Sequence, residues 1–368
     1  MHRAKPIQAS VITVLCACLL TSSVLAVELP RMHPASPWYE RVDQAALHPQ
    51  SASMISTWDG LGGFGNGRMQ IDFSFFVLYA DGATPTQPVI SIPGGNPDNA
   101  YYLPDCDALN TQVPLPAGGA IEGQPGYSCN NLDGDCHLLV SRGNELFEVY
   151  RGNLSASGVE SQCLALWRTD GLYPVTGRGE HCTSADAAGF PIAPLLFNAD
   201  EVFAASQISD GDLGHAIRFI IPNNRMASDA SLGGVAGRLY VHPANHAGGP
   251  SGPTGSIPYG VRLRLRSDFP MAGYNAAAQV ILRTMQRYGM LLADGGTVAL
   301  TAEGDRYNTH SWAELGIDSR VFDQTPGAMD VAAGDFEVVD TGPRIAETYE
   351  CVRTGPSFDA LFADGYEG

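Results

Sequence analysis

The sequence predicts a mainly β protein, a distorted β-sandwich or jelly roll with long loops and one packed amphipathic helix over about residues 275–288. Three observations carry this. Glycine (42) and proline (25) are abundant among 368 residues. The apolar runs are short and stop at turn residues, a pattern of strands joined by loops. Only one stretch repeats its apolar residues at strong helical spacing.

Taken in order, the chain opens with His2, Arg3 and Lys5, then "VITVLCACLL" and "TSSVLA". A basic start, a short apolar run and small residues before a cut after Ala26 describe a signal peptide over residues 1–26. A lipoprotein cut at Cys18 ranks second, because that cysteine sits inside the apolar run. The run is too short to span a bilayer, so the mature chain is expected to be secreted or periplasmic, with no membrane insertion. Residues 27–60 read as an extended lead-in, 61–340 as a single mainly β domain, and 341–368 as a tail.

Within that domain "MQIDFSFFVLYADG" reads as a buried strand ending in a turn, and "CHLLVSRGNELFEVYRGN" as a hairpin about Arg142-Gly143-Asn144. "HAIRFIIPNN" and "GRLYVHP" are further strands, closed by proline or asparagine. "TSADAAGFPI" is expected to begin a short helix capped by Thr183 or Ser184. The long helix has Asn275 as cap, Ala278, Ile281, Leu282, Met285 and Tyr288 on one face, and Gly289 at its end.

Composition removes whole classes of function. Loss of Arg3 and Lys5 with the leader takes the net charge from −18 to −20, and Lys5 is the only lysine. The mature chain therefore has no lysine for a Schiff base or a phosphate loop. So acidic a chain is not expected to bind nucleic acid. Six cysteines remain after the leader: Cys106, Cys129, Cys136, Cys163, Cys182 and Cys351. An even count in an exported chain predicts disulfides, and six cysteines allow fifteen pairings. Sequence proximity favours Cys129–Cys136 and Cys163–Cys182, with Cys106–Cys351 tying back the tail.

Several motifs carry little. "GLGGFG", Gly60 to Gly65, fits G-x-G-x-x-G but precedes a strand and opens no helix, so it is a connection and not a dinucleotide loop. No G-x-S-x-G elbow is present. No cofactor is expected. Asp133 with Asp135, and Asp210 with Asp212, could hold calcium about glycine turns, although the EF-hand pattern fails and ordinary Asp-Gly turns are the plainer reading. In "YGVRLRLRSDF" the three arginines Arg262, Arg264 and Arg266 share one strand face, either to grip substrate carboxylates or to face solvent.

The histidines are more informative. In "GRLYVHPANHAGG" Pro243 disfavours a helical His242, so His242 and His246 are not a helical metal pair, and no metal site is expected. His246 lies in a glycine-flanked loop past a strand end, where sites are often built. His137 and His215 each start an apolar strand near an acidic residue, which can set an imidazole's tautomer.

Taken together, "TSADAAGFPI", "HAIRF" and "PANH" resemble the ordered motifs of a widespread, largely uncharacterised family of secreted bacterial proteins. The resemblance runs from about Gly134 to Asp340. Its matching positions are His137, Glu148, Ser184, Asp186, His215, Arg218, His246, Arg262 and Asp294. The resemblance implies sites more than a reaction, and its extracellular setting points to polysaccharide.

The leading expectation is therefore a secreted carbohydrate-active enzyme, a glycoside hydrolase or a polysaccharide lyase, with a glycan as partner. Glu148, Asp186, His215 and His246 are the catalytic candidates, and His137, Arg218 and Arg262 the substrate-binding ones. The alternative is a non-catalytic lectin-like or structural envelope protein. In the lectin-like case Trp38, Trp58, Trp167 or Trp312 would stack on sugar rings.

Overall fold

The chain spreads its strands over several sheets rather than one. The computed structural model describes residues 28–94, 99–131 and 134–358, so the expected leader and Asp133 lie outside the described residues. Among the described residues no helix is long and apolar enough to cross a membrane.

The apolar run at Ile71 shows how the sheets divide. It is one strand in sequence but two in space, Ile71–Phe75 and Val77–Ala80, and these belong to different sheets. The break leaves Val77 N–H without a ladder partner, and the buried Glu303 carboxylate accepts it at 3.1 Å. A buried backbone donor must find such an acceptor.

The larger sheet has six strands in the order Ile71–Phe75, Leu300–Glu303, Ile217–Ile221, Met290–Gly295, Arg262–Leu265, Phe336–Val338. The neighbours Ile217–Ile221 and Met290–Gly295 run parallel. Parallel neighbours need a long connection. Here it includes the strand Arg262–Leu265 and a helix, Ala276–Arg287. That helix starts as its sequence predicts, with Asn275 Oδ1 accepting Ala278 N–H at 2.8 Å. It buries Ala277, Ala278, Ile281, Leu282 and Met285 in the main core. Gly289, at φ 74°, closes it in a conformation that favours glycine.

A four-stranded sheet lies elsewhere, in the order Val77–Ala80, Leu138–Arg142, Glu145–Tyr150, Cys163–Arg168. Its middle pair is the expected hairpin, turning at Gly143 (φ 58°). Alternation then assigns its two faces. Leu139, Leu146, Ala165 and Trp167 join the main core, while Leu138, Val140, Phe147, Val149 and Leu164 form a second core. That second core is closed by Val89, Val113 and Val159 of a smaller four-stranded sheet. The two four-stranded sheets therefore share the second core, beside the mixed six-stranded sheet.

Two expectations of local structure fail. Residues 51–60 of the supposed extended lead-in form a helix, Ser51–Gly60, whose Met54, Ile55 and Trp58 are buried at one-turn spacing. Leu29, Met32 and Trp38 also join the main core. The segment "TSADAAGFPI" is not helical. Ser184 Oγ instead donates to Phe190 O at 2.7 Å and accepts Asp186 N–H at 3.0 Å, so a side chain takes the bonds a helix would make. A helix, Ala199–Ser206, follows later, capped by Asn198.

The disulfides are Cys106–Cys163, Cys129–Cys136 and Cys182–Cys351. Cys129–Cys136 is as expected. The other two pairings are exchanged relative to the expectation, because chain proximity did not measure spatial proximity. Three disulfides fit an oxidising compartment. The tail is tied down by Cys351 to Cys182, and runs as a strap whose short strands Ile345–Ala346 and Val352–Arg353 pair with Leu239–Tyr240 and Gly179–Glu180. Converting Cys182 and Cys351 to serine is expected to cost about 2–4 kcal/mol. Thermal unfolding of the oxidised chain, with and without the substitutions, measures this.

Candidate functional site

The parallel strands Ile217–Ile221 and Met290–Gly295 end on one side of the larger sheet, and a cleft of about 640 Å³ opens there. Clefts at the carboxyl ends of parallel strands are where ligands commonly sit. Asn223 follows the first strand, and Asp294 closes the second. The 183–187 segment, the His246 loop, Tyr259 and Tyr349 of the strap contribute the remaining inner wall.

Asp186 anchors the floor. Its Oδ1 accepts from Arg218 at 2.5 Å, and its Oδ2 accepts Ala188 N–H at 3.2 Å. The turn needs Gly189, at φ 80°, because a Cβ there would lie 2.1 Å from Asn245 Oδ1. Arg218 also donates to Thr301 Oγ1 at 3.0 Å and lies over the Phe75 ring. The guanidinium is thus enclosed by the protein and is not a substrate-binding group, contrary to expectation.

Asp294 is half-buried, with Oδ1 accepting its neighbour's Gly295 N–H at 2.6 Å. Burial, followed by the negative charge of Asp186, pushes its carboxyl up to about 7, with Arg218 opposing. Burial also raises Asp186, but there Arg218 bonds the carboxylate directly. The ion pair therefore favours the charge on Asp186 and leaves the proton on Asp294.

His246 is 8% exposed, and its Nδ1–H donates to Ala187 O at 2.7 Å. That bond leaves Nε2 with the lone pair of the neutral ring. Among the described residues nothing bonds Nε2, and the ring borders the cleft against Tyr349. Of the four catalytic candidates, Asp186 and His246 meet here.

The other two do not. Glu148 lies on the main-core face of the four-stranded sheet, away from the cleft lining, and accepts Ile192 N–H and Ala193 N–H, each at 2.8 Å, and Trp167 Nε1–H at 3.0 Å. Its role is to tie the sheet to the 191–193 turn. His215 is fully buried, donates Nδ1–H to Ala216 O at 2.8 Å, and is held neutral by burial. No ligand reaches it.

The remaining binding candidates are also corrected. His137 sits beneath the cleft, bonded to Glu122 Oε2 at 2.6 Å and Ala185 O at 3.1 Å. Burial would lower its pKa, but the Glu122 charge prevails and holds it at about 9, so both nitrogens donate. It supports the 183–187 segment from below. Arg262 is buried and donates to Tyr288 O, Pro37 O and Glu40 O. It joins the end of the long helix to the lead-in, while Arg264 pairs with Glu337 and Arg266 with Asp268. The arginine row is structural.

Asp210 and Asp212 pair with Arg287, which removes the calcium reading there. His242 faces Glu180 at 3.3 Å, outside the cleft. Trp38, Trp58, Trp167 and Trp312 are all buried, so none offers a sugar platform. Aromatic surface in the cleft comes from tyrosines instead, among them Tyr102, Tyr150 and Tyr349.

A test separates Glu148 from the site. Its burial lifts it to about 7, above the ordinary value of 4.5. A carboxyl raised by folding stabilises below the unfolded value, and that contribution is lost as pH rises through about 7. Glu148→Gln is therefore expected to flatten the fall in stability between pH 5 and 8 by about 1–3 kcal/mol. Cleavage or binding at the cleft should change less than about threefold, since Glu148 touches no ligand. Urea unfolding at both pH values, beside activity, checks both parts.

Searches of family models, curated proteins and solved structures find no match to this chain.

Proposed function

We propose that this protein is a glycan-cleaving hydrolase, with Asp294 as the proton donor. The observation behind this reading is a carboxyl in a tyrosine-walled cleft, raised by burial to about 7, beside a carboxylate bonded to an arginine. Two carboxyl groups driven to opposite protonation states are the arrangement that glycoside hydrolysis needs.

In the proposed reaction Asp294 gives its proton to the glycosidic oxygen as the carbon–oxygen bond breaks. His246 Nε2 accepts a proton from the incoming water, whose oxygen bonds the anomeric carbon. Solvent returns His246 and Asp294 to their starting forms, so one water is consumed per bond. Asp186, neutralised by Arg218, makes no bond to the sugar; its charge keeps the proton on Asp294.

Hydrolysis is favoured over elimination by where the cations are. A lyase acting on a uronate must neutralise the substrate carboxylate. Arg218 and Arg262 are both enclosed by protein acceptors. The cleft instead presents Asp105, Asp135, Asp186 and Asp294, and Arg238, which also lines it, donates to Tyr349 Oη.

The oxidised mature chain should be incubated with neutral, amine-bearing and uronate polysaccharides. New reducing ends without ultraviolet absorbance from new double bonds are expected. Absorbance alongside reducing ends would replace this reading with a lyase. Retention of glycan without any new ends would replace it with a binding protein.

A further inference from the structure

We infer that the saccharide seated in this cleft carries a protonated amine, an inference that names the substrate class and rests on the hydrolytic reading above. It comes from a count of free donors and acceptors. The hydroxyls that would donate to a ligand are largely turned to the protein. Tyr101 donates to Asp107 O, Tyr259 to Asn223 Oδ1, Tyr349 to Gly248 O, and Ser184 to Phe190 O.

The acceptors are free by comparison. Among the described residues nothing bonds the Asp135 carboxylate, which is exposed in the cleft wall. Asp105 uses only Oδ2, on Thr183 N–H at 2.9 Å. His246, more than nine-tenths buried, directs an unpartnered Nε2 lone pair into the same space. Vacant acceptors favour a ligand rich in donors, and the buried His246 Nε2 gains most, because a buried acceptor left unpaired costs free energy.

Charge and aromatic surface point the same way. Asp105 and Asp135 both line the cleft, so an ammonium held there is attracted by their negative charge, and Tyr102 and Tyr150 line it beside them. The opposing cations are Arg238, which donates to Tyr349 Oη, Arg353, which donates to Asp105 O and Asp107, Arg151, which donates to Asn99 Oδ1, and His137 beneath the cleft, bonded to Glu122 and Ala185 O. All four are held by protein oxygens. A uronate would meet Asp105 and Asp135 with like charge, and an N-acetylated sugar would forgo the ionic contact.

The experiment titrates the full oxidised chain, by calorimetry, with a β-1,4-linked glucosamine hexamer, its N-acetylated counterpart and a galacturonate hexamer. Each mixture is then assayed for reducing ends. The free-amine hexamer is expected to bind about tenfold more tightly than the N-acetylated one at low salt. The margin should narrow at high salt. Asp135→Asn should reduce the preference at least about threefold with the fold unchanged by circular dichroism. Equal binding of the two glucosamine forms, tighter binding of the galacturonate, or no binding of the amine would overturn the inference. Amine-selective binding without reducing ends would keep the inference and sink hydrolysis. Cleavage of both glucosamine forms at equal efficiency would do the reverse.

Discussion

Asp294→Asn is expected to lower glycan cleavage by about 10²–10⁴-fold while leaving the chain folded. The amide keeps the shape of the carboxyl, and its oxygen can still accept Gly295 N–H. What it loses is a proton that can be given away. It also relieves the repulsion from Asp186, so stability near neutral pH should not fall. The sign of the pH effect follows from the same group. Asp294 must be protonated to act, and burial together with the Asp186 charge lifts it to about 7. Activity of the parent chain should therefore fall as pH rises through about 7. A plateau of activity extending to pH 9, or an Asp294→Asn chain that cleaves at the parent rate, would remove Asp294 from the mechanism. Initial rates from pH 5 to 9 decide this, with near-ultraviolet circular dichroism as the check on folding.

Parts of this site were legible in the sequence for a physical reason. His246 follows a strand end in a glycine-flanked loop, and such loops can project a side chain into a cleft without competing for ladder bonds. The helix Ala276–Arg287 was legible because its cap and apolar face are both local. Asp294 was marked only through the resemblance. Its own signal is an apolar run that stops at Asp-Gly-Gly, which is also what an ordinary turn looks like.

The rest depends on contacts between distant segments. Glu148 and Asp186 are equally plausible carboxylates in sequence, yet strand alternation turns Glu148 inward onto Trp167 while a serine-held turn brings Asp186 under the cleft. His137 and His246 each precede or follow a strand, and only Glu122, fifteen positions away from His137, raises His137 to about 9. Of the arginine row, Arg262 and Arg264 lie on the strand Arg262–Leu265, and Arg266 lies just past its end and pairs with Asp268. The carbonyls that Arg262 and Arg264 reach, of Pro37, Glu40, Val42 and Ala45, belong to a segment more than 200 residues earlier. That segment was read as extended because its serines, threonine and glycine hide a short helix. Met54, Ile55 and Trp58 were the available signal for it.

The second large effect is expected at the ion pair beneath Asp294. Arg218→Met keeps much of the side-chain bulk over Phe75 but leaves Asp186 without its cation. Removing one partner of a buried pair costs about 3–5 kcal/mol, because the remaining charge has lost its compensation. The cost must depend on pH. Without Arg218, burial drives the Asp186 carboxyl further up, and a carboxyl raised by folding stabilises at low pH and ceases to do so as pH rises through its folded value. Arg218→Met should therefore be least harmful near pH 5 and most harmful near pH 8. Adding Asp186→Asn should restore part of the loss at pH 8, since no buried charge then remains. Urea unfolding of the parent, both single variants and the double variant at these two pH values tests the coupling. A loss independent of pH, or a double variant no more stable than Arg218→Met, would mean that Arg218 acts through packing and Thr301 alone. Asp186 would then have no fixed charge with which to hold the proton on Asp294, and the acid of the proposed reaction would lose its physical basis.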